Sequence, residues 1–384
     1  MDVLVLGDDL RPIEIFDDFQ SLIWTERYSE WGDFELVAPS GLSSTSALQR
    51  GTVIGLNESY RVMMVETIEE PGDGTIKFTG RSLEALMDSR MTRPEAINAG
   101  YPNGATTRNA TPGNHARYWF ETSCRTNSSV PADNFSFIQS GNLFTPGTIP
   151  EPTDTIDVQF NVMSVYAAVK PICDTYGLGF VIGRNKTAGN ARFQVYTGSD
   201  RTTWQTILDP VVFSPDLETL EKVSRVQSSA NFRNVAYVFS EKGSRIVYAY
   251  GADDTTSGFD RRVLYVDATD ITLVKGAALD AALDIRGAKA LAEYRNLTAF
   301  DGEVPQAVPY NYGVNYNLGD YVERRDSRGF SSKLLVTEQI FVSDLEGDRS
   351  YPTLQAVDLV EPGSWSAWSR TGIWNDAVGT WDSL

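Results

Sequence analysis

The side chains best suited to nucleophilic catalysis are scarce in this chain. It contains one histidine, His115, so every Ser–His–Asp or Cys–His site would have to use that residue. The surrounding pattern places His115 at the start of a predicted helix, where the helix dipole disfavours a positive charge. We therefore expect a neutral surface histidine rather than a catalytic base. No Gly-x-Ser-x-Gly nucleophile elbow occurs in the sequence.

The two cysteines, Cys124 and Cys173, form no Cys-x-x-Cys motif. A zinc site would need further ligands from carboxylates, which is uncommon, so we expect two buried free thiols. Phosphate-binding loops are also missing, because no Gly-x-x-x-x-Gly-Lys-Ser/Thr motif occurs. Gly177, Gly179 and Gly183 have the wrong spacing for a dinucleotide site and lie between a helix and a strand, in the wrong order. The sequence predicts no cofactor.

The acidic residues give weak signals for chemistry. Four adjacent pairs lie beside turn signals and are expected to be solvated: Asp8-Asp9, Asp17-Asp18, Glu69-Glu70 and Asp253-Asp254. Two distant carboxylates can still converge as in a glycosidase, which sequence neither shows nor excludes. Asp344, Glu346 and Asp348 could hold Ca²⁺, but they lack the later Glu of an EF-hand loop, so a polar hairpin tip is favoured. No catalytic residue and no metal ligand is predicted.

Composition excludes several classes of protein. The chain has 384 residues, and Lys and Arg number 33 against 51 Asp and Glu, which gives a net charge of −18. This charge argues against specific binding of nucleic acid and against docking on an anionic membrane. No apolar run reaches the roughly 18 residues of a membrane span, so stable membrane insertion is not expected. The N-terminus lacks the features of a signal peptide, so we expect synthesis in a bacterial host cytoplasm.

Apolar–polar alternation predicts a strand-rich chain. In residues 1–80 the positions expected to face the core of half-buried strands are Val3, Val5, Ile13, Ile15, Ile23, Phe34 and Leu36. A short helix over 81–88 is expected with Ser82 as its N-cap. Further helices are predicted after Thr111, after Ser164 and over 276–296. Pro171 is expected to kink the helix that follows Ser164 or to delay its start.

A weak internal repeat links the two ends of the chain. The first copy reads Gly51-Thr52-Val53-Ile54, then Val65-Glu66-Thr67-Ile68, then a turn at Gly74 and another strand. The second copy reads Gly319-Asp320-Tyr321-Val322, then Val336 to Ile340, then a turn at Gly347 and another strand. Each copy consists of a strand, a second strand that contains Glu-x-Ile, a glycine turn and a third strand. In the second copy this motif reads Glu-Gln-Ile. Duplication is one interpretation, and the general likeness of hairpins is the other.

The segment 364–384 is rich in tryptophan. It contains Trp365, Trp368, Trp374 and Trp381, half of the chain's eight tryptophans. Such a segment cannot form its own core, and four indoles left in water would promote aggregation. We expect these residues to bind a partner protein; stacking on sugars is the functional alternative.

Several segments resemble baseplate hub or tail-associated minor tail proteins of long, non-contractile-tailed bacteriophages. The segments that carry the resemblance are Ser21–Tyr28 (SLIWTERY), Gly32–Leu36 (GDFEL), Gly80–Glu84 (GRSLE), Asn234–Val238 (NVAYV), Arg262–Asp267 (RVLYVD) and Tyr316–Val322 (YNLGDYV). The resemblance covers most of residues 1–90 and 155–358. Relatives often carry a long C-terminal extension with a peptidase or fibre, whereas this chain has only the Trp-rich segment. Residues 92–155 match no part of the family's pattern.

The resemblance implies an α+β, strand-rich fold with two small β-barrel-like hub domains and an inserted helix-containing α+β region. The implied domains are a first hub β-domain over 1–91, an inserted loop-rich and helical domain over 92–210, its strand-and-helix continuation over 211–312, strands completing the second hub β-domain over 313–360, and a Trp-rich C-terminal strap over 361–384. It also implies a homotrimer, in which two hub domains per protomer give a pseudo-sixfold ring.

The function that follows is a non-enzymatic, structural hub at the phage tail tip. The implied partners are the distal tail ring protein, the tape-measure protein and tip or fibre proteins, and the ring would line the DNA exit channel. Two alternatives remain: a host receptor-binding tail protein that recognises cell-wall glycans, and a cell-envelope hydrolase.

Overall fold

Strands dominate the protein, which we describe from a computed structural model covering residues 1–41, 44–93, 95, 106–160, 162–219, 221–249, 251–271, 273, 275–294, 297–303, 310–325 and 331–356. The predicted strand-rich α+β class is confirmed over these residues. The chain divides into two units. The large unit contains Met1–Lys222 and Gly302–Gln355, and the small unit is centred on Val223–Asp301.

The strands and helices of the described residues are numbered in chain order. The strands are β1 Val3–Leu6, β2 Pro12–Phe16, β3 Ser21–Arg27, β4 Asp33–Pro39, β5 Val53–Leu56, β6 Val62–Glu69, β7 Thr75–Ser82, β8 Thr106–Ala110, β9 Ile138–Gln139, β10 Ile156–Phe160, β11 Gly179–Asn185, β12 Asn190–Tyr196, β13 Asp200–Arg201, β14 Val212–Phe213, β15 Glu221–Ser228, β16 Val235–Ser240, β17 Gly243–Tyr248, β18 Val263–Asp267, β19 Leu297–Glu303, β20 Tyr321–Arg325, β21 Ser331–Asp344 and β22 Gly347–Ala356. The α-helices are α1 Pro112–Phe120, α2 Val165–Tyr176 and α3 Ala277–Glu293.

Strands from both ends of the chain form one large sheet. Its order is β13-β20-β21-β3-β4-β7-β6-β5-β1-β2, with β14 added beside β20 and β22 beside β21. The two repeat copies predicted from sequence are three-stranded meanders, β5-β6-β7 and β20-β21-β22, with the same connectivity. They lie on either side of β3 and β4. Two barrel-like domains are not confirmed, because the described strands of this sheet follow an open path rather than a closed barrel.

Apolar cores cover part of both faces of the large sheet. In a strand covered on both faces, alternation of apolar and polar residues does not show which side chains are buried. On one face Val3 and Val5 join a core that contains Trp24, Phe34 and Leu36. On the other face Leu4 and Leu6 join a second core built with the inserted region. Strand β1 is therefore buried at every position, although only Val3 and Val5 were expected to be.

The predicted inward orientation of three isoleucines is wrong. Ile13 and Ile15 are 70% and 56% exposed, and Ile23 is also largely exposed while its neighbours Leu22 and Trp24 are buried. Strand β2 lies at the end of the sheet, and its residues Pro12 to Ile15 are exposed while Phe16 is buried. In β3 the charged Glu26 takes a buried position, so polarity alone assigned the wrong face to Ile23.

The inserted region packs α1 and α2 against the second core. Strands β8 and β10 pair, and β11 and β12 form a hairpin that β9 joins in parallel. Ser164 caps α2 by accepting a hydrogen bond from the Ala167 amide at 3.1 Å, and Gly177 ends the helix with φ +65°. Pro171 lies inside α2 and does not delay its start. The helix predicted over 81–88 is a 3-10 turn over Leu83–Ser89 instead.

The small unit contains a three-stranded sheet with one helix, and β15 and β19 pair as a separate two-stranded sheet. Strand β16 is central, between antiparallel β17 and parallel β18. Helix α3 covers one face, where Ala236 and Val238 join one apolar cluster with Leu279, Leu283 and Leu291. None of the helices in the described part of the chain has the length and apolar character that a membrane-spanning helix requires.

Candidate functional site

His115 is buried, which corrects the prediction of a surface histidine. Its ring lies in the first turns of α1, with Nε2 at 3.1 Å from the Ile156 carbonyl oxygen and Nδ1 at 3.3 Å from the Arg108 guanidinium. Burial lowers the pKa of His115, so the ring is neutral as predicted. A buried ring held by the backbone and an arginine is a structural group rather than an accessible base.

The two thiols are buried and unpaired with each other, as the sequence predicts. Burial raises the pKa of Cys124 to about 12, and it also raises the pKa of Cys173. Both side chains are therefore protonated at neutral pH, and a thiol is a poor nucleophile and a poor metal ligand.

The acidic residues singled out by sequence lie apart, in exposed turns. All four adjacent pairs are exposed. At the tip of the β21–β22 hairpin, Arg349 contacts Asp344 and Glu346, and Asp348 contacts the N-terminal amino group of Met1. The carboxylates considered for Ca²⁺ are thus engaged with cations of the chain. Among the described residues, no group of three or more His, Cys, Asp and Glu side chains is arranged to hold a metal ion.

A deeply buried ion pair lies where the large sheet meets the inserted region. The guanidinium of Arg61 in the β5–β6 turn contacts the carboxylate of Glu84, and both side chains are at most 3% exposed. The same guanidinium donates to the Arg27 carbonyl oxygen at 2.6 Å, and Glu84 accepts from the Ile182 amide at 3.0 Å. Burial lowers the pKa of Arg61, but the charge of Glu84 together with the nearby Glu26, Tyr196 and Tyr312 outweighs burial, so the pKa of Arg61 is raised.

Glu26 on β3 lies beside this pair and is almost fully buried. Its carboxylate accepts hydrogen bonds from Trp24 Nε1 and the Tyr312 hydroxyl, both at 3.0 Å, and from the Ser59 hydroxyl. Burial raises the pKa of Glu26, and the nearby charge of Arg61 offsets part of that rise. Residues far apart in sequence thus share one polar network in the core.

Tyr28, next to the end of β3, connects that strand to the inserted region and to β21. Its hydroxyl donates to the carbonyl oxygens of Gly177 and Tyr196, at 3.0 and 3.2 Å, and its ring contacts that of Tyr196 edge-on with centroids 5.3 Å apart. The Tyr28 amide donates to the Thr337 carbonyl oxygen at 2.8 Å. We call Glu26, Tyr28, Arg61, Glu84 and Tyr312 the buried junction.

Glycines allow three backbone segments to stack beside the buried junction. The Ile149 amide donates to the Gly198 carbonyl at 3.0 Å, and the Tyr321 amide donates to the Ser199 carbonyl at 2.9 Å. A Cβ at Gly198 would overlap the carbonyl group of Gly319, and one at Gly319 would overlap the Tyr28 ring. Only glycine permits this close approach.

A pocket of about 270 Å³ opens next to the buried junction. Its lining includes Glu26, Tyr60, Arg61, Tyr196, Arg201 and Asp320. Arg201 Nε donates to Asp320 at 3.1 Å, and Asp320 also accepts the Ser199 and Asn317 amides. These polar groups bind one another, and the chain's single histidine lies elsewhere, so the pocket holds no Ser–His or Cys–His arrangement.

Sequence reasoning missed the buried junction, although a signal for it was present. Glu26, Tyr28 and Glu84 lie in the short segments that carry the family resemblance, and Gly319 lies in another. A glutamate inside an otherwise apolar strand pattern is the feature that indicates a buried polar network. The predicted partner-binding residues Trp365, Trp368, Trp374 and Trp381 lie outside the described residues.

Comparison with known families decides what the chain is related to. The sequence profile described as Siphovirus ReqiPepy6 Gp37-like protein matches residues 2–346. The chain belongs to this family. The match spans the large sheet, the inserted region and the small unit, so the predicted phage resemblance is confirmed. The comparison with curated proteins gave no match.

Solved structures show the same fold. A tail protein from Neisseria meningitidis MC58 is similar with a TM-score of 0.56 and 13% identity, covering 93% of this chain and 96% of that one. The 43 kDa tail protein of prophage MuSo2 from Shewanella oneidensis has a TM-score of 0.54 and 14% identity, covering 93% and 98%. The prophage tail protein gp18 from Listeria monocytogenes EGD-e has a TM-score of 0.51 and 11% identity, covering 92% and 94%.

The raised pKa of Glu26 should make the stability of the protein depend on pH. Because burial raises its pKa, the folded protein holds a proton that the unfolded chain has already released between the ordinary and the raised pKa. The wild type therefore loses stability as pH rises through that range. We expect Glu26→Gln to become more stable relative to the wild type as pH rises from the ordinary pKa of a glutamate toward neutrality. Urea unfolding at several pH values measures the difference, and a difference that does not change with pH would contradict the assignment.

Proposed function

We propose that the protein is a structural hub at the tail tip of a bacteriophage. The observation that carries the proposal is the family match over residues 2–346, across a fold that phage tail proteins share. In this role the protein links the distal tail ring to tip or fibre proteins and contacts the tape-measure protein. It acts by binding its neighbours and not as an enzyme.

The proposed assembly is a homotrimer around a channel. Each protomer contributes two equivalent meanders, so three protomers supply six similar modules that match a hexameric ring on one side and a threefold tip on the other. The net charge of −18 per protomer favours a lumen that repels DNA and lets it pass without sticking. Two barrel-like hub domains would each be completed by elements of the proposed assembly.

Strand β2 supplies a surface suited to a neighbouring tail subunit. Among the described strands it pairs with β1 alone, which leaves its outer edge open to another strand. The exposed side chains of Ile13 and Ile15 are apolar, and the exposed Asp8, Glu14 and Asp17 lie near them in sequence, while the exposed Arg11 pairs with Asp9. An exposed apolar edge is a template for pairing, and its acidic border favours a strand that carries Lys or Arg.

Lysine at both isoleucines should block assembly without unfolding the protein. The variant Ile13→Lys/Ile15→Lys places two charges on the outer edge of β2, and both positions are already solvated. We expect light scattering of the protein mixed with the distal tail ring protein to show a complex for the wild type and its loss for the variant. Ile207→Lys, at an 84% exposed position away from β2, is the control and should assemble normally. Normal assembly of the β2 variant would exclude this edge as the contact.

The Trp-rich segment is proposed to anchor the hub to an adjacent subunit. Burying half of each indole would contribute roughly 10 kcal/mol before the cost of ordering the segment. Truncation after Glu361 should leave a folded protein that assembles poorly into tails, as measured by its content in purified particles. If truncated particles assemble normally but fail to bind cells, the segment recognises the host, and the receptor-binding alternative is correct.

A cell-envelope hydrolase is the less favoured alternative. His115 and both cysteines are buried, and the pocket beside the buried junction holds groups that bind one another. We therefore expect no turnover of peptidoglycan or glycan fragments by the purified protein. Turnover abolished by a single carboxylate substitution would reveal a converging acid pair and contradict the structural role.

A further inference from the structure

One face of the three-stranded sheet in the small unit is largely exposed, although Val235 at one end of it is buried. Helix α3 packs on the face that carries Ala236 and Val238. The register places the opposite side chains in three rows across the strands. They are Val235, Tyr237 and Phe239 on β16, Ser244, Ile246 and Tyr248 on β17, and Val263, Tyr265 and Asp267 on β18. We call these nine positions the aromatic face.

Aromatic rings lie open in the middle of this face. Tyr265 is 66% exposed and Phe239 is 43% exposed, and their rings stack with centroids 5.7 Å apart and planes 25° apart. Ile246 and Val263 extend the exposed apolar surface on the two outer strands. Monomeric proteins rarely leave such a set of neighbouring apolar side chains in water unless it binds something.

The border of the aromatic face is polar. Ser244 and Asp267 are exposed and lie on either side of Phe239 in the cross-strand register. Arg261 lies over the Tyr237 and Tyr248 rings, at 5.9 and 6.0 Å from their centroids, and donates to the Tyr237 hydroxyl at 3.2 Å. Hydroxyl, carboxylate and guanidinium groups thus surround a flat aromatic surface.

Anionic ligands do not fit this surface. Aromatic sheet faces that bind single-stranded nucleic acids need nearby cations to neutralise phosphates. Here Arg261 is already engaged, since it donates to the Thr256 carbonyl oxygen at 3.0 Å as well as to Tyr237. Asp253, Asp254 and Asp260 are exposed in the loop before β18, and the chain's net charge is −18.

This face alone is too small for a stable interface with a second copy of the chain. Three strands about 4.8 Å apart and five residues long cover roughly 240 Å² of sheet. A stable protein interface buries about 800 Å² on each partner. The face is therefore the size of a site for a small, flat ligand.

We propose that the aromatic face binds a neutral oligosaccharide. The C–H face of a sugar ring can stack on the Phe239 and Tyr265 rings, while its hydroxyls bond to Ser244, Asp267 and the tyrosine hydroxyls. Sugars present an apolar face and a polar edge, which matches a flat aromatic centre with a polar border. This binding site is separate from the Trp-rich segment and goes beyond the hub role, so its failure leaves that role intact.

The test is a microarray of neutral tetrasaccharides built from hexoses and N-acetylhexosamines, with heparin fragments as the anionic probe. The best neutral ligand is then titrated against the full chain by calorimetry. We expect Phe239→Ser/Tyr265→Ser to bind about tenfold more weakly or worse. Phe259→Ser removes a fully exposed ring from the loop before β18 and is the matched control, which should bind as the wild type does.

Circular dichroism should show that both variants are folded, because the substituted rings lie on exposed surface. Three results would overturn the proposal: no binding of any neutral tetrasaccharide by the wild type, tighter binding of heparin fragments than of neutral sugars, or equal loss of binding in the Phe259→Ser control. Protection of Tyr265 by another tail subunit and not by sugar would assign the face to a protein partner instead.

Discussion

Arg61→Met is expected to destabilise the large unit by about 3–5 kcal/mol. The substitution removes the cation that neutralises Glu84 and leaves a buried carboxylate without a counter-charge. It also removes the donor to the Arg27 carbonyl oxygen. Urea unfolding, with hydrogen-exchange mass spectrometry to assign the transition to the large unit, gives the magnitude.

Two further variants distinguish the loss of the buried Arg61–Glu84 ion pair from the general effect of removing an arginine. Arg245→Ala breaks an ion pair with Asp284 in which both side chains are 42% exposed, and it should change stability far less because solvent screens this pair. Adding Glu84→Leu to Arg61→Met should recover much of the loss, because no charge is then left buried. If Arg61→Met costs no more than Arg245→Ala, the buried junction does not hold the large unit together.

Gly198→Ala is expected to cost about 3 kcal/mol or more, the second large effect. The new methyl group would overlap the backbone of Gly319, and neither segment can move without breaking the hydrogen bonds that stack them. Because these segments come from the inserted region and from the chain beyond the small unit, the substitution should loosen their attachment to Tyr28. Thermal unfolding and the hydrogen exchange of residues 319–322 measure it.

Gly72→Ala is the matched control for the glycine substitution. Gly72 has a φ of +85° and nothing within 4 Å of an added Cβ, so only the left-handed conformation is penalised. That penalty is about 1–2 kcal/mol. Destabilisation by Gly198→Ala no larger than that by Gly72→Ala would contradict the close approach of the segments as the reason that Gly198 is necessary.

The sequence predicted local structure well where a local cause existed. Ser164 marks the start of α2 through its cap, which depends on a few neighbouring residues only. The helix over 276–296 was also predictable, because the spacing of its apolar residues depends on that segment alone. The same is true of the turns that separate the strands of each repeat.

Positions whose burial depends on distant segments were not predictable. Strand β1 is buried on both sides because the inserted region covers the face that carries Leu4, and alternation within the strand cannot reveal that cover. His115 was assigned to the surface from its place in α1, but β10 lies against it. The buried junction combines residues up to 286 positions apart, so each looks like an ordinary polar residue in its own segment.

Cryo-electron microscopy of the virion tests the central claim most directly. We predict density for the large unit at the tail tip, in three copies around a channel, between the distal tail ring and the tip proteins. The fitted density should place strand β2 against a neighbouring subunit. Density for the protein only on peripheral fibres, or its absence from the particle, would contradict a structural hub.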